Sequence, residues 1–149
     1  MSTAIPKLEN KILVAALLFA AAQVALIAFA VYRLGLTVPS CVTNVKPFTE
    51  GQIIQLAPDR YEVHVLCKMW QFSPALIRVP RGSTVDFYVI SKDVTHGFYV
   101  DRTAVNLMAL PGVVNYAQAH FKEPGHYGIR CHEYCGAGHH DMNAMVEVD

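Results

Sequence analysis

Twelve consecutive positions, Cys131-His132-Glu133-Tyr134-Cys135-Gly136-Ala137-Gly138-His139-His140-Asp141-Met142, hold two thiols, three imidazoles and a thioether. This concentration of ligands restricts the fold more than any apolar pattern in the chain. Its donor atoms meet at one place only if a rigid framework pins both ends of the loop. Thiolate, imidazole and thioether donors together select copper, zinc or iron–sulfur chemistry. Zinc seldom takes a thioether, so Met142 points to copper. Three residues separate the cysteines, whereas the common zinc knuckle has two. A mononuclear blue-copper site uses one cysteine with histidines and a weak axial methionine. Two cysteines on one loop can instead bridge two metal ions. The plain alternative is a Cys131–Cys135 disulfide with unrelated histidine and methionine, which leaves the clustering of His139 and Met142 without a reason.

The pattern Cys-x-Glu-x-Cys-Gly-x-x-His-x-x-Met resembles the dinuclear copper (CuA) loop of cytochrome c oxidase subunit II. A second segment, Asp93-Val94-Thr95-His96-Gly97-Phe98, is similar to the strand end that carries that family's upstream histidine. The resemblance extends over nearly the whole chain, and its nearest form is the short, single-helix subunit II of B-type haem-copper oxidases. It implies a mainly β, cupredoxin-like Greek-key barrel or sandwich behind one N-terminal transmembrane helix. It also implies a centre of two copper ions. Cys131 and Cys135 are then the bridging thiolates, and His96 and His139 each cap one copper through a ring nitrogen. Met142 is a weak axial ligand on one copper, and the backbone carbonyl of Glu133 is the weak ligand on the other. The family spacing selects His139 over His140.

The same resemblance implies a function. The centre accepts electrons from cytochrome c and passes them to haem in subunit I, which reduces oxygen to water and pumps protons. Trp70, the only tryptophan, lies in Lys68-Met69-Trp70-Gln71-Phe72 and is either a core residue or an aromatic where electrons enter. Glu9 is either a charge favoured near a helix N-terminus or a residue at a proton entrance. The Glu133 carboxylate corresponds to one that holds magnesium in A-type enzymes and generally does not in B-type ones. Two other classes compete. A membrane-tethered copper carrier would favour exposed Met- and His-rich motifs over two thiolates in a closed loop. The copper domain of a nitrous or nitric oxide reductase would bring a propeller domain in the first case and a different partner subunit in the second.

The hydrophobic fraction of 53% exceeds the usual soluble level of roughly 45–50%. Its excess lies in Ile12 to Tyr32, where Gln23 is the one strongly polar residue. At about 1.5 Å per residue this run spans roughly 31 Å, close to a bilayer core of about 30 Å. A cleaved signal peptide has an apolar core of only about 7–15 residues, so a retained transmembrane helix is expected. Lys7 and Lys11 before the run and Arg33 after it give a slight positive-inside bias toward a cytoplasmic N-terminus. The remaining domain then lies on the periplasmic or outer side of the cell membrane. Net charge is zero, which argues against nucleic acid as a partner.

Three segments are expected: 1–35 as lead and helix, 36–51 as linker and 52–149 as the copper domain. The linker has Pro39 and Pro47 and no periodicity. It carries Cys41, and Cys67 follows in the first strand region. In an exported domain the two could form a disulfide; equally, Cys67 could be a buried free thiol, and lipidation of Cys41 is a third reading. Alternation predicts a strand at Tyr61–Leu66 and strand-type composition another at Thr84–Ile90, with others at 76–80, 97–100, 104–109, 113–121, 126–130 and 144–148. Arg81-Gly82, Pro111-Gly112 and Glu123-Pro124-Gly125 supply turns. His64, His120 and His126 read as strand side chains rather than ligands. His132 reads as exposed, and Met69, Met108 and Met145 as core fillers.

Overall fold

The computed structural model describes residues 5–34, 40–42 and 44–149, with the side chains of residues 5–7, 34 and 41 outside that description. The chain divides into two compact units, Met1–Leu36 and Thr37–Asp149. The first contains one helix, α1 (Ile5–Leu34). Pro6 sits in its first turn, where a missing N–H costs nothing. From Leu8 to Arg33 the helix is long and apolar enough to cross a membrane, and its apolar side chains are exposed all round. A helix apolar on every side is stable only when buried in protein or lipid.

The described residues of the second unit form eleven strands: β1 (Ser40–Cys41), β2 (Gln52–Ala57), β3 (Arg60–Lys68), β4 (Gln71–Ser73), β5 (Leu76–Val79), β6 (Thr84–Ser91), β7 (His96–Val100), β8 (Asn106–Ala109), β9 (Asn115–His120), β10 (Gly125–Arg130) and β11 (Asn143–Val148). One sheet has the order β1-β9-β6-β3-β2, with β4 also on β3; the other has the order β5-β11-β10-β7-β8. The strands alternate. Val63 and Val65 of β3, Val85, Phe87 and Val89 of β6, Phe98 and Val100 of β7, and Ile129 of β10 all turn into one core with Phe72, Ile77, Phe121 and Val146. Gly82 takes φ 84° in the β5–β6 turn, a left-handed conformation that glycine adopts without a side-chain clash.

Most neighbouring strands are antiparallel, as the short strands and turns predict. Two pairs are not: β3 with β6, and β5 with β11, run parallel. The chain leaves β3, turns back as β4, crosses to the second sheet as β5 and returns as β6. That crossover brings β6 beside β3 in the same direction.

The stretch expected as a linker is tied to the domain over its described residues. β1 pairs with β9, Ser40 opposite Tyr116 and Cys41 opposite Asn115. Val42, Val45 and Phe48 cover Leu66, Ile90 and Val114, a second small cluster. This arrangement decides between the readings left open for Cys41 and Cys67, and it excludes the disulfide. β9 and β6 lie between β1 and β3, so Cys41 and Cys67 are three strand spacings apart, about 14 Å. A disulfide needs Cα atoms within about 7 Å. Cys67 is a free, fully buried thiol, in line with the alternative reading.

A polar hub sits in the first sheet. Asp86 is only 4% exposed and accepts hydrogen bonds from Arg60 Nη2 (2.8 Å), Tyr116 Oη (2.8 Å) and Gln118 Nε2 (2.7 Å). Burial and the hydrogen bond to Asp86 push the Tyr116 phenol up to about 12. The neutral phenol is the form the fold favours. Its contribution is complete below the unfolded value of about 10 and disappears as pH rises through the folded value. Thermal unfolding of the full chain between pH 9 and 12 should therefore lose more stability in the wild type than in Tyr116→Phe; parallel curves for the two would refute the linkage.

Candidate metal centre

His96 opens β7 and is fully buried. Antiparallel pairing sets Tyr99 of β7 opposite Arg130 and Val100 opposite Ile129 of β10. Cys131 follows β10 directly, so the ladder delivers the cysteine loop to the end of the sheet where His96 stands. The loop returns into β11, and its base is closed by the Cys131 N–H donating to the Met142 carbonyl at 3.2 Å. A 3-10 turn, His139–Asp141, shapes its far side.

Four sulfur and nitrogen donors converge. The Sγ atoms of Cys131 and Cys135 are 3.7 Å apart, Cys135 Sγ is 3.7 Å from His139 Nδ1, and Cys135 Sγ is 3.8 Å from Met142 Sδ. The Glu133 carbonyl lies 3.1 Å from Cys131 Sγ. Donor atoms of His96, Cys131 and Cys135 all fall within 4.8 Å of one another. The sulfurs are too far apart for a disulfide bond of about 2.05 Å. They are close enough to share an ion at metal–sulfur lengths of about 2.3 Å.

The two ring nitrogens of His96 are distinct. Nε2 is 2.7 Å from Asp93 Oδ1, whereas Nδ1 is buried with no hydrogen-bond partner among the described residues. A buried nitrogen without a partner is costly, and here it belongs to the residue grouped with both cysteines. The tautomer that satisfies Asp93 carries the proton on Nε2 and leaves the Nδ1 lone pair free for a metal. This donor set of buried imidazole, thiols and thioether fits copper.

Burial raises the Cys135 thiol to about 11, helped by the hydrogen bond and charge of Cys131. Burial also raises Cys67. Metal binding at Cys135 must therefore displace a proton from a neutral thiol. Burial works against the charge of Asp93, but hydrogen bonds from His96, Met69 N–H and Val94 N–H outweigh it and hold that carboxyl below its ordinary value.

Trp70 lies against the loop rather than inside the core. It is 41% exposed, and its Nε1–H donates to the Cys135 carbonyl at 3.1 Å. A Cβ at Gly138 would come within 2.5 Å of the indole, so only glycine lets the ring lie this close. Gly97 plays the same part for His132, whose backbone and ring would meet an added Cβ at 2.6 Å.

The other candidates are dispersed. His140 is exposed and pairs with Asp141 at 3.2 Å. His132 and the Glu133 side chain are exposed, and His64, His120 and His126 lie on strands away from the loop. Met69, Met108 and Met145 are exposed rather than core fillers, at 44%, 38% and 37%: each stands at a turn or on the outer face of its strand. Glu9 belongs to α1 and the other unit. Sequence reasoning assigned no role to Asp93, although an acidic residue three positions before a candidate ligand histidine was visible.

Comparison with known proteins supplies the context. The family model for cytochrome c oxidase subunit II, periplasmic domain, matches residues 66–148. A cytochrome c oxidase subunit 2 of Thermus thermophilus is 41% identical over 112 residues, which are 74% of this chain and 83% of that protein. A chain in the cryo-EM structure of a haem-copper terminal oxidase dimer superposes with TM-score 0.81 at 41% identity, over 95% of this chain and 99% of that one. The periplasmic domain of subunit II from Bradyrhizobium japonicum, 20% identical, shares the fold with TM-score 0.55 over 59% of this chain and 83% of its own length. The apolar helix and the periplasmic-type domain together fit a membrane-anchored subunit. A copper-suited cluster at the end of such a barrel, in a chain aligned across its domain with these proteins, places it in the cytochrome c oxidase subunit II family, the copper-carrying subunits of haem-copper oxidases.

Proposed function

We propose that the cluster is a dinuclear copper centre of a B-type oxidase, through which electrons pass from cytochrome c toward haem in subunit I. The observation that carries this reading is the buried, unpartnered Nδ1 of His96 grouped with two thiols 3.7 Å apart. Cys131 and Cys135 would hold both ions, with His96 and His139 as the nitrogen ligands. Met142 Sδ and the Glu133 carbonyl would be the weak ligands. When bound, such a centre shares one unpaired electron between two ions, so each metal–ligand bond changes little on electron transfer.

The residues contribute rigidity and access. Cys131, Cys135, His96 and Met142 are all buried, so water has little part in any change of charge. The Asp93 contact fixes the His96 ring, and the bond between Cys131 N–H and Met142 O fixes the ends of the loop. Trp70 joins the surface to Cys135 through one hydrogen bond, which favours it as the place where electrons arrive. Met69, Trp70, Val94 and Tyr134 are exposed around this end of the domain, which suits a donor that docks through apolar contact. In this reading α1 spans the lipid bilayer with a cytoplasmic N-terminus, the copper domain faces the periplasmic side, and Glu9 lies at a proton entrance. Oxygen reduction and proton pumping belong to subunit I.

Three measurements test this. The purified full chain, loaded with copper, should bind two ions and show an electron paramagnetic resonance signal split by both nuclei. One copper with ordinary single-ion splitting, or a preference for zinc, would overturn the centre. In the assembled oxidase, Trp70→Ala should slow electron uptake from reduced cytochrome c by about tenfold or more, a barrier increase of about 1.4 kcal/mol, with copper retained; Trp70→Phe should lose less. Glu9→Gln should slow turnover without altering the copper spectrum, and normal turnover would sink that role.

A further inference from the structure

We propose that Asp93 is a positioning residue for the copper centre, its two carboxylate oxygens holding the His96 ring and the Met69–Trp70 turn at once. The inference rests on the copper reading above and concerns how the site is kept in shape. Oδ1 accepts from His96 Nε2–H at 2.7 Å and from Val94 N–H at 2.7 Å, with Ser91 Oγ at 3.4 Å. Oδ2 accepts from Met69 N–H at 2.8 Å. Asp93 is itself held, because its N–H donates to Ser91 Oγ at 3.2 Å and that hydroxyl donates to the Val94 carbonyl. Among the described residues its one ion-pair partner is His96. The charge is thus directed to the ligand and the turn.

The consequence is a closed circuit around the site. From Asp93 one arm reaches His96. The other reaches Met69, and so Trp70, whose indole N–H ends on the carbonyl of Cys135. Lys92 N–H donating to the Cys67 carbonyl at 2.9 Å ties the same turn to β3 a second time. Two ligand-bearing segments far apart in sequence, at His96 and at Cys135, are therefore joined by a bridge outside the ligand cluster. A carboxylate bonded to Nε2–H fixes ring orientation and raises the basicity of the opposite nitrogen. Its negative charge also favours the more positive, oxidised centre.

Asp93→Asn is close in shape, but an amide has a single acceptor oxygen. Because His96 Nε2–H and Met69 N–H lie on different carboxylate oxygens, one of the two would face the NH2 group and lose its acceptor. In the full chain in detergent, the copper-loaded variant should bind copper about 10- to 100-fold more weakly. Its midpoint potential should rise, and the paramagnetically shifted signal of the His96 Nε2 proton should move or exchange faster. Trp70→Phe, which breaks only the bond to Cys135, should leave that proton signal in place. If the copper retained by Asp93→Asn has the wild-type potential and the wild-type His96 signal, Asp93 is merely structural and the proposal is overturned. Should the variant not fold, the metal-free wild-type chain still decides: ring nitrogen shifts must show His96 protonated on Nε2, and a proton on Nδ1 overturns the proposal. A wild-type chain that takes up no copper overturns the copper reading instead, and the metal-free tautomer then still tests the Asp93 contact.

Discussion

The pairing of β7 with β10 is the constraint on which the centre depends. His96 and Cys131 come from segments far apart in the chain, and they meet because Tyr99 faces Arg130 and Val100 faces Ile129. A slip of one residue would turn every side chain to the opposite face of the sheet. His96 would then leave the interior and Cys131 would no longer face it. The register is itself held by the apolar faces of both strands, since Phe98, Val100 and Ile129 are fully buried. The hydrophobic core and the geometry of the His96–Cys131–Cys135 cluster are therefore one problem with one solution.

Beyond the strand ends the same alignment continues without a ladder. His132 crosses directly over Gly97, so closely that any side chain there would collide with its backbone. Gly138 allows an equally close approach of Trp70. These contacts press the loop flat against the end of the barrel, and they explain how donors on a loop can be as well fixed as donors on strands. Preorganisation of this kind is what a site needs if its ligands are to move little when its charge changes.

Much of this is legible in the sequence because it is local. The alternation at Tyr61–Leu66 foretells β3 and the β-rich run Thr84–Ile90 foretells β6; the resemblance to the family's loop selects His139, whose Nδ1 lies 3.7 Å from Cys135 Sγ, over His140, which is exposed. What is not legible depends on partners distant in the chain. Asp93 reads as an ordinary turn residue until Met69 and His96 are seen on its two oxygens. The 36–51 stretch lacks any period because its Val42, Val45 and Phe48 follow the outer contour of a sheet instead of extending one face. The parallel pairs require a crossover between sheets, and no neighbouring residues record that. Cys41 and Cys67 show the converse: two thiols in one domain leave a bond open until strand order separates them.

The position of β11 has a consequence for assembly. It lies between β5 and β10, later in the chain than both, and Met142 immediately precedes it. Until β11 is inserted, the second sheet has a gap, β5 has no neighbour, and the loop has only one anchored end. β11 thus completes the second sheet and anchors the far end of the cysteine loop at once, so a change that loosens its pairing with β5 or β10 disturbs the sheet and the Cys131–Met142 loop together.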